Sequence, residues 1–467
     1  MLKLDLTIGE MLKILETEPV GVAPKVLKRK VNLCMDSRES AKGVVFWPIK
    51  GVRFDAHKFV NQMEKEGALM SVVNQTAVEE YSTQNETFKA YAPVDDTTKA
   101  LLKLAKGYQR LFKVKKVAIT GSNGKTTTKE MVKAVLSSKF VTHATAGNFN
   151  NHIGVPMTLF QLKHKHEAAV VEMGTSGPDE IRPLSLAAEP DVAVITNIGA
   201  SHLERLGDLD GVFREKITIT AGLKKNGTLI VNADDPRLCK VKSTKNYKVV
   251  TFGLRRGVVK PEKLQWNENA CADFYVGRTH FVLNVPGTHN LYNALAAIAV
   301  GEAFRIPKAE IAKVLKNFRA TNMRMEIKKG DGFKIVSDCY NANPSSTRMA
   351  LQTIGNMNVE GSRIAVLGDM LELGKESKEL HRSIGALVPE MNFDLLVTVG
   401  EEAKNYVKGA KEKGMACVEH FDTVQDAIVF LSDVVSKGDV LLVKGSRGMK
   451  MEQVVDALLK LSLVSKA

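Results

Sequence analysis

The run Thr120-Gly121-Ser122-Asn123-Gly124-Lys125-Thr126-Thr127 has the residue types that hold a polyphosphate. Glycines let backbone N–H groups approach phosphate oxygens, Lys125 can reach the β and γ phosphates, and the Thr126 hydroxyl suits Mg²⁺. The usual pattern has a glycine five residues before Gly124; Ile119 stands there, so this is a shorter variant of the loop. GTPases and kinases use related loops, but no NKxD guanine reader follows. Acid, imidazole and amide groups come instead from Val171-Glu172-Met173-Gly174, from Asn197-Ile198-Gly199-Ala200-Ser201-His202 and from Gly147-Asn148-Phe149-Asn150-Asn151-His152. Glu172 and Thr126 offer the oxygen ligands that Mg²⁺ prefers, and His202 is expected beside them around the same phosphates.

These groups act together only if the fold returns them to one edge. Short apolar runs at 114–120, 168–174, 191–199 and 227–235 alternate with helical stretches, the pattern of buried strands in a mostly parallel sheet. The phosphate loop, Glu172 and His202 then follow the C-terminal ends of strands, where open parallel sheets bind ligands, and a helix is expected from Lys125. A second alternation, at 333–338, 363–369, 394–400 and 439–445, reads as a doubly wound α/β unit. A turn-like cluster, Ala92-Pro93-Val94-Asp95-Asp96, precedes the helical pattern that starts at Thr97. The expected fold class is therefore α/β in three units: a small N-terminal α/β unit (1–92), a central mostly parallel sheet (93–321) and a C-terminal Rossmann-like sheet (322–467).

Composition bounds the partners. With 467 residues, 44% apolar and 25% charged, the chain is neither disordered nor a membrane bundle. A net charge of +14 favours anionic ligands. Nucleic acid is not expected, because no basic cluster interleaved with aromatics stands out among the 2 Trp, 8 Tyr and 18 Phe. The 5 cysteines are scattered, with no CxxC pair, which points to a reducing cytoplasm rather than to disulfides or zinc. No apolar run is long enough to span a membrane.

In this order, the blocks resemble the Mur ligase superfamily of ATP-dependent amide-bond-forming enzymes, and the resemblance runs along the whole chain. It implies that Gly121, Ser122, Asn123, Gly124, Lys125, Thr126 and Thr127 bind ATP with Mg²⁺. Asn290, in Gly287-Thr288-His289-Asn290, would lie near the adenine, and Arg324 and Asp338 would reach phosphate and ribose from the last unit. The Asn290 segment also reads as a helix capped by Thr288 and packed through alanines. Lys125, Glu172, His202 and Lys216 would carry catalysis. Thr126, Glu172, His202 and a carbamylated Lys216 would hold metal, although Lys216 taken alone is a helix-face lysine. His202 and His381 both remain open as the base for the attacking amine.

The N-terminal block around Asp36-Ser37-Arg38 resembles a UDP-binding unit, with Ser37, Arg38, Asn148 and Asn151 on the UDP substrate. It departs from the family at Ala56 and at Trp47-Pro48, and Phe46 and Phe59 read as core. The block Asp338-Cys339-Tyr340-Asn341-Ala342-Asn343-Pro344-Ser345-Ser346 resembles the branch that adds D-alanyl-D-alanine, which implies Tyr340, Asn341, Asn343 and Ser346 as dipeptide contacts. Asn343-Pro344 is also a good helix start.

The implied reaction joins D-alanyl-D-alanine to UDP-N-acetylmuramoyl-tripeptide through an acyl phosphate. Its expected products are the pentapeptide, ADP and phosphate, made by a monomer that closes over its ligands. The competing readings are the diaminopimelate- or lysine-adding sibling, folylpolyglutamate synthase, and a nucleotide-dependent switch without ligase chemistry. The DNPR string of the diaminopimelate-adding sibling is absent.

Overall fold

The computed structural model describes residues 1–52, 54–83, 87–320 and 323–461. Arg53, Asn322 and the expected unit boundary at 321/322 lie outside them. Three sheets of five or more strands follow one another along the chain, with a small three-stranded antiparallel sheet between the second and third.

The first sheet runs in spatial order Leu2–Thr7, Lys30–Cys34, Val45–Phe46, Met70–Asn74 and Tyr91–Val94. Its first pair is antiparallel and the others are parallel. The last strand straddles the boundary expected at 92/93: Pro93 and Val94 pair with Val73 and Asn74, so the sheet ends later than the turn-like composition suggested. Asp96 then caps the helix Thr97–Gln109 by accepting from the Lys99 N–H at 2.9 Å. Trp47 and Phe46 are core residues, and the Trp47 indole donates to the Thr97 carbonyl at 2.9 Å, pinning the first sheet to that helix. Phe59 packs against the same small core as Phe46.

The middle sheet is parallel throughout, in the order Tyr247–Phe252, Gly227–Asn232, Val192–Ile195, Lys115–Thr120, Ala168–Glu172 and Thr142–Ala144. All four strands expected from the apolar runs are present. Successive side chains alternate faces, so Val117 and Ile119 pack with the helices Lys125–Ser137 and Thr288–Ala303, while Ala118 packs with Thr97–Gln109 and Ile181–Ala188. The latter core continues into Leu4, Leu33 and Val72 of the first sheet, so helix Thr97–Gln109 joins the two sheets through shared apolar packing.

The third large sheet has the order Glu326–Lys329, Lys334–Asp338, Val440–Lys444, Arg363–Gly368, Leu395–Val399 and Val418–Phe421. Only the edge pair Glu326–Lys329 with Lys334–Asp338 is antiparallel. Among the described residues no helix is long and apolar enough to cross a membrane.

Candidate active site

Strand Lys115–Thr120 is the switch point of the middle sheet. The chain leaves it for the edge at Thr142–Ala144, returns through Ala168–Glu172, and then crosses to Val192–Ile195 on the other side. The crevice beyond such a point is where open sheets take ligands. The phosphate loop fills it, and helix Lys125–Ser137 starts directly at Lys125. Gly121 and Gly124 adopt φ +151° and +79°, values that side chains rarely reach. A Cβ on Gly121 would collide with Thr196 Oγ1, and one on Gly124 with Asn293 Oδ1.

The loop is fixed by the segment after Val192–Ile195. Asn123 N–H donates to Asn197 Oδ1 at 2.9 Å, Thr196 Oγ1 donates to the Asn123 carbonyl at 2.6 Å, and Gly199 N–H donates to Ser122 Oγ at 2.9 Å. Lys125 Nζ folds over the loop and donates to the Gly121 carbonyl at 2.8 Å.

Glu172 is 1% exposed at the end of its strand. Its Oε1 accepts from Thr126 Oγ1 at 3.2 Å and from Asn150 Nδ2 at 2.9 Å. Its buried Oε2 has no hydrogen-bond partner and lies 4.0 Å from Lys129 Nζ. Lys129 stands one helical turn beyond Lys125, fully buried, and donates to the Thr145 carbonyl at 2.8 Å.

An orphaned buried carboxylate oxygen beside a threonine hydroxyl fits a hard cation, whose remaining ligands would be phosphate and water. Among the described residues no group of three or more His, Cys, Asp or Glu side chains is gathered to hold a metal unaided.

Cationic groups converge on the loop. Burial lowers the Lys125 pKa, and the Arg324 charge adds to the effect. Burial, with help from the Lys125 charge, holds Lys216 well below the usual lysine range. Burial followed by the charges of Lys125 and Lys216 lowers His202, which favours its neutral form. His202 sits at φ +53° with Nδ1 3.9 Å from Glu372 Oε2 of the third sheet's unit. Lys216 is buried on helix Leu209–Ile217; its neighbour Glu215 accepts three backbone N–H groups at the start of helix Ile181–Ala188.

The third sheet faces this crevice with the ends of its own strands. Asp338 pairs with buried Lys444 at 2.6 Å, and Lys444 also donates to the Asn341 carbonyl at 2.9 Å. The Arg324 guanidinium lies over the Tyr340 ring, 3.8 Å from its centroid, and its buried Nε has no hydrogen-bond partner. Asn343 caps helix Pro344–Gly355 through Oδ1, which accepts from the Ser346 N–H at 2.8 Å. Its Nδ2 crosses to Asn123 Oδ1 of the phosphate loop at 2.8 Å. The two sheets thus enclose one cleft of about 540 Å³.

That cleft brings together Ser122, Asn123, Gly124, Lys125, Thr126, Thr127, Asn148, Asn151, Glu172 and His202 with Asn290, Arg324, Asp338, Tyr340, Asn341, Asn343 and Ser346. Gly121 shapes the loop from behind. Ser37, Arg38 and Lys216 are not among the lining residues. Exposed Arg38 is held by Asp36, with contacts at 2.8 and 2.6 Å. Asn151 is partly engaged in structure: its Oδ1 accepts from the Ile153 and Gly154 N–H groups at 3.1 and 2.9 Å.

Two expectations are corrected. Thr288 does not cap its helix, because Gly287 at φ +94° occupies the cap position without a side-chain bond; the alanine packing is present. His381 is not a free base. It is fully buried, with Nε2 accepting from the Met370 N–H at 2.9 Å and Nδ1 donating to the Ser377 carbonyl at 2.7 Å.

Residues missed in the sequence also line the cleft or support its walls. Asn293 Oδ1 accepts from Thr128 Oγ1 at 3.0 Å, and the Tyr292 hydroxyl donates to Asp234 Oδ2 at 2.9 Å. His289 has a buried, unpartnered Nδ1, and burial pushes its pKa down to about 4. The i, i+4 spacing of Lys125 and Lys129 was the available signal for Lys129.

Comparison with known proteins covers the same ground. Residues 119–301 match the Mur ligase middle domain and residues 323–447 the Mur ligase glutamate ligase domain. The chain is 38% identical over 92% of its length, and 93% of the relative's, to UDP-N-acetylmuramoyl-tripeptide--D-alanyl-D-alanine ligase from Bacillus subtilis (strain 168). A crystal structure of MurF from Acinetobacter baumannii superposes with a TM-score of 0.87 at 30% identity, covering 98% of this chain and 100% of that one. MurF ligase from Thermotoga maritima in complex with ADP gives 0.80 at 28% identity, covering 92% and 97%.

Proposed function

We propose a mechanism from the premise that the chain belongs to the Mur ligase family and, within it, to the UDP-N-acetylmuramoyl-tripeptide--D-alanyl-D-alanine ligases. It joins D-alanyl-D-alanine to UDP-N-acetylmuramoyl-tripeptide at the expense of ATP, in peptidoglycan synthesis. The observation that carries the residue roles is the single cleft in which the phosphate loop and buried Glu172 face Arg324 and Asp338.

A carboxylate is a poor electrophile with a poor leaving group, and phosphorylation removes both obstacles. A carboxylate oxygen of the tripeptide attacks the γ-phosphorus, the bond to the β-phosphate oxygen breaks, and ADP leaves. The dipeptide's neutral amine then attacks the acyl carbon. The tetrahedral intermediate expels phosphate, and the nitrogen loses its proton. Lys125 and Arg324 offset the repulsion between the triphosphate and the carboxylate, which at about 4 Å and an effective dielectric of 20 amounts to roughly 4 kcal/mol per unit-charge pair. They also stabilise charge on the transferring group's equatorial oxygens.

Thr126 and Glu172 would hold Mg²⁺, which supplies further charge neutralisation when bound. His202 extends that set. Lys216, whose pKa burial and the Lys125 charge hold well below the usual lysine range, would be the residue for carbamylation by CO₂. His202 is an imidazole of the cleft that burial favours in its neutral form, in contrast to His381, whose ring nitrogens are both engaged.

Gly121 to Thr127 cradle the phosphates, Asn290 supports the adenine side, and Asp338, held by Lys444, faces the ribose. Tyr340, Asn341, Asn343 and Ser346 form the dipeptide wall, and the Asn343–Asn123 bond ties that wall to the phosphate loop. Asn148 and Asn151, with Ser37 and Arg38 farther out, receive the UDP substrate.

The three units keep their proposed bounds of 1–92, 93–321 and 322–467, except that strand Tyr91–Val94 carries the first beyond residue 92. A monomer is the proposed state. The free cysteines and the ATP requirement support a cytoplasmic setting. The functional test is Lys125→Ala, which should abolish turnover while leaving the fold intact. Substantial residual turnover would remove Lys125 from its role.

A further inference from the structure

A second cavity, of about 300 Å³, opens at the opposite edge of the middle sheet, where strand Lys115–Thr120 begins. Six residues at about 3.3 Å each separate it from the phosphate loop by roughly 20 Å. Arg110, Lys113, Lys115, Lys116 and Lys224 line it against the single carboxylate of Glu189. That carboxylate is already engaged, accepting from Arg110 Nε at 2.9 Å and from Gln109 Nε2 at 2.8 Å. Asp191, close by, holds Lys224 at 3.0 Å and the backbone N–H of Lys116 at 2.8 Å.

Lys116 is the unusual member. It is 2% exposed, yet its ammonium donates only to the Val114 carbonyl, at 3.1 Å, and makes no ion pair among the described residues. An ammonium has three donors, of which one is used here; Asp191 and Glu189 lie near enough to favour its charge without pairing with it directly. Burial and the Lys224 charge bring its pKa down to about 8. The rim carries charge of both signs: Lys115 N–H donates to the Glu167 carbonyl at 3.0 Å, which brings the turn carrying Lys163 and Lys165 alongside, and His164, whose ring lies 4.9 Å from that of Phe112, faces Asp5 at 3.4 Å.

We propose that this cavity is a second phosphate-group site, separate from the nucleotide cleft, with Lys116 as its buried anchor and Lys113 and Lys115 at its mouth. The group it takes arrives either as free phosphate or on an anionic lipid headgroup. Neither the reaction nor the cleft residues require it.

The test uses the full chain carrying Lys125→Ala, which weakens phosphate binding in the nucleotide cleft. Inorganic phosphate is titrated in one arm. In the other, the protein is floated with phosphatidylcholine vesicles with and without phosphatidylglycerol. Each arm is repeated with Lys116→Met and, at the exposed rim, with Lys113→Ser plus Lys115→Ser.

Binding that Lys116→Met weakens roughly tenfold or more, the loss of one charge-assisted hydrogen bond, supports the site, and the arm that responds identifies the source. If Lys116→Met does not fold, the same loss in the rim variant supports it. No binding in either arm, or binding that a folded Lys116→Met variant leaves undiminished, overturns it.

Discussion

Replacing Glu172 with Gln separates the role of its charge from that of its shape. The Oε1 contacts with Thr126 and Asn150, at 3.2 and 2.9 Å, survive in an amide oxygen, whereas Oε2, unpartnered and 4.0 Å from Lys129 Nζ, becomes an NH₂ group. Two opposing terms are removed together. Attraction to Lys129 is about 4 kcal/mol at an effective dielectric of 20, and the desolvation penalty of a buried carboxylate is also several kcal/mol. Lys129 keeps Glu130 Oε1 at 2.9 Å and is not left as a lone buried charge, so the ligand-free variant should differ from wild type by no more than about 1 kcal/mol.

Metal–nucleotide linkage behaves differently. At a hundredfold excess over its dissociation constant, a ligand stabilises the fold by about 2.7 kcal/mol, roughly 5–10 °C of melting temperature for a unit of this size. At the same concentration the variant should gain less than about 1 kcal/mol. Turnover should fall by about two orders of magnitude, or ~2.7 kcal/mol of barrier. Thermal melts with and without Mg²⁺ and a non-hydrolysable ATP analogue measure both effects. A full-sized ligand shift in Glu172→Gln, or a ligand-free loss of several kcal/mol, would exclude this role for the Glu172 charge.

Other perturbations have distinct signatures. Gly124→Ala places a Cβ against Asn293 Oδ1 at φ +79°; strain of about 1–3 kcal/mol should weaken ATP binding measured by calorimetry, and unchanged affinity would contradict the loop geometry. Asn343→Ala should cost about 1 kcal/mol of stability through its helix cap and raise the Michaelis constant for D-alanyl-D-alanine. Asn343→Ser should restore the cap but not the reach to Asn123, so recovery of the Michaelis constant along with stability would remove Asn343 from the dipeptide wall. His289 has a folded pKa of about 4, below its value in the unfolded chain. The unfolded chain then binds the extra proton, so stability falls by up to about 3 kcal/mol as pH drops from about 6.5 to 4. Denaturant titrations of wild type and His289→Gln should differ in that window, and identical pH profiles would refute it.

The sequence was informative where the physics is local. Buried parallel strands are continuous apolar runs, so the strands bearing Thr120, Glu172 and Asp338 are legible in the sequence, as are the helix starts at Lys125 and Asn343. Pairings across long stretches of chain were not visible: Asn123 meets Asn343 across 220 positions and Asp338 meets Lys444 across 106. Thr288 was misread because a threonine before an apolar run resembles a cap, whereas Gly287 reaches a left-handed φ closed to threonine. His381 stands close to an apparent motif, but burial turns both of its nitrogens to structural use. Asn150 stands in the amide-rich run 147–152 and Lys129 one turn beyond Lys125, but neither is singled out until Glu172 is seen between them.

In the proposed reaction the terminal phosphoryl of ATP is passed to the tripeptide carboxylate and then displaced by the dipeptide amine. Phosphate release with ATP and Mg²⁺, omitting each substrate in turn and weighing the product, tests it most directly. The expected result is release that needs both UDP-N-acetylmuramoyl-tripeptide and D-alanyl-D-alanine, with the pentapeptide appearing in equal amount. Undiminished release from ATP without either substrate, or phosphate without the pentapeptide mass, would contradict it.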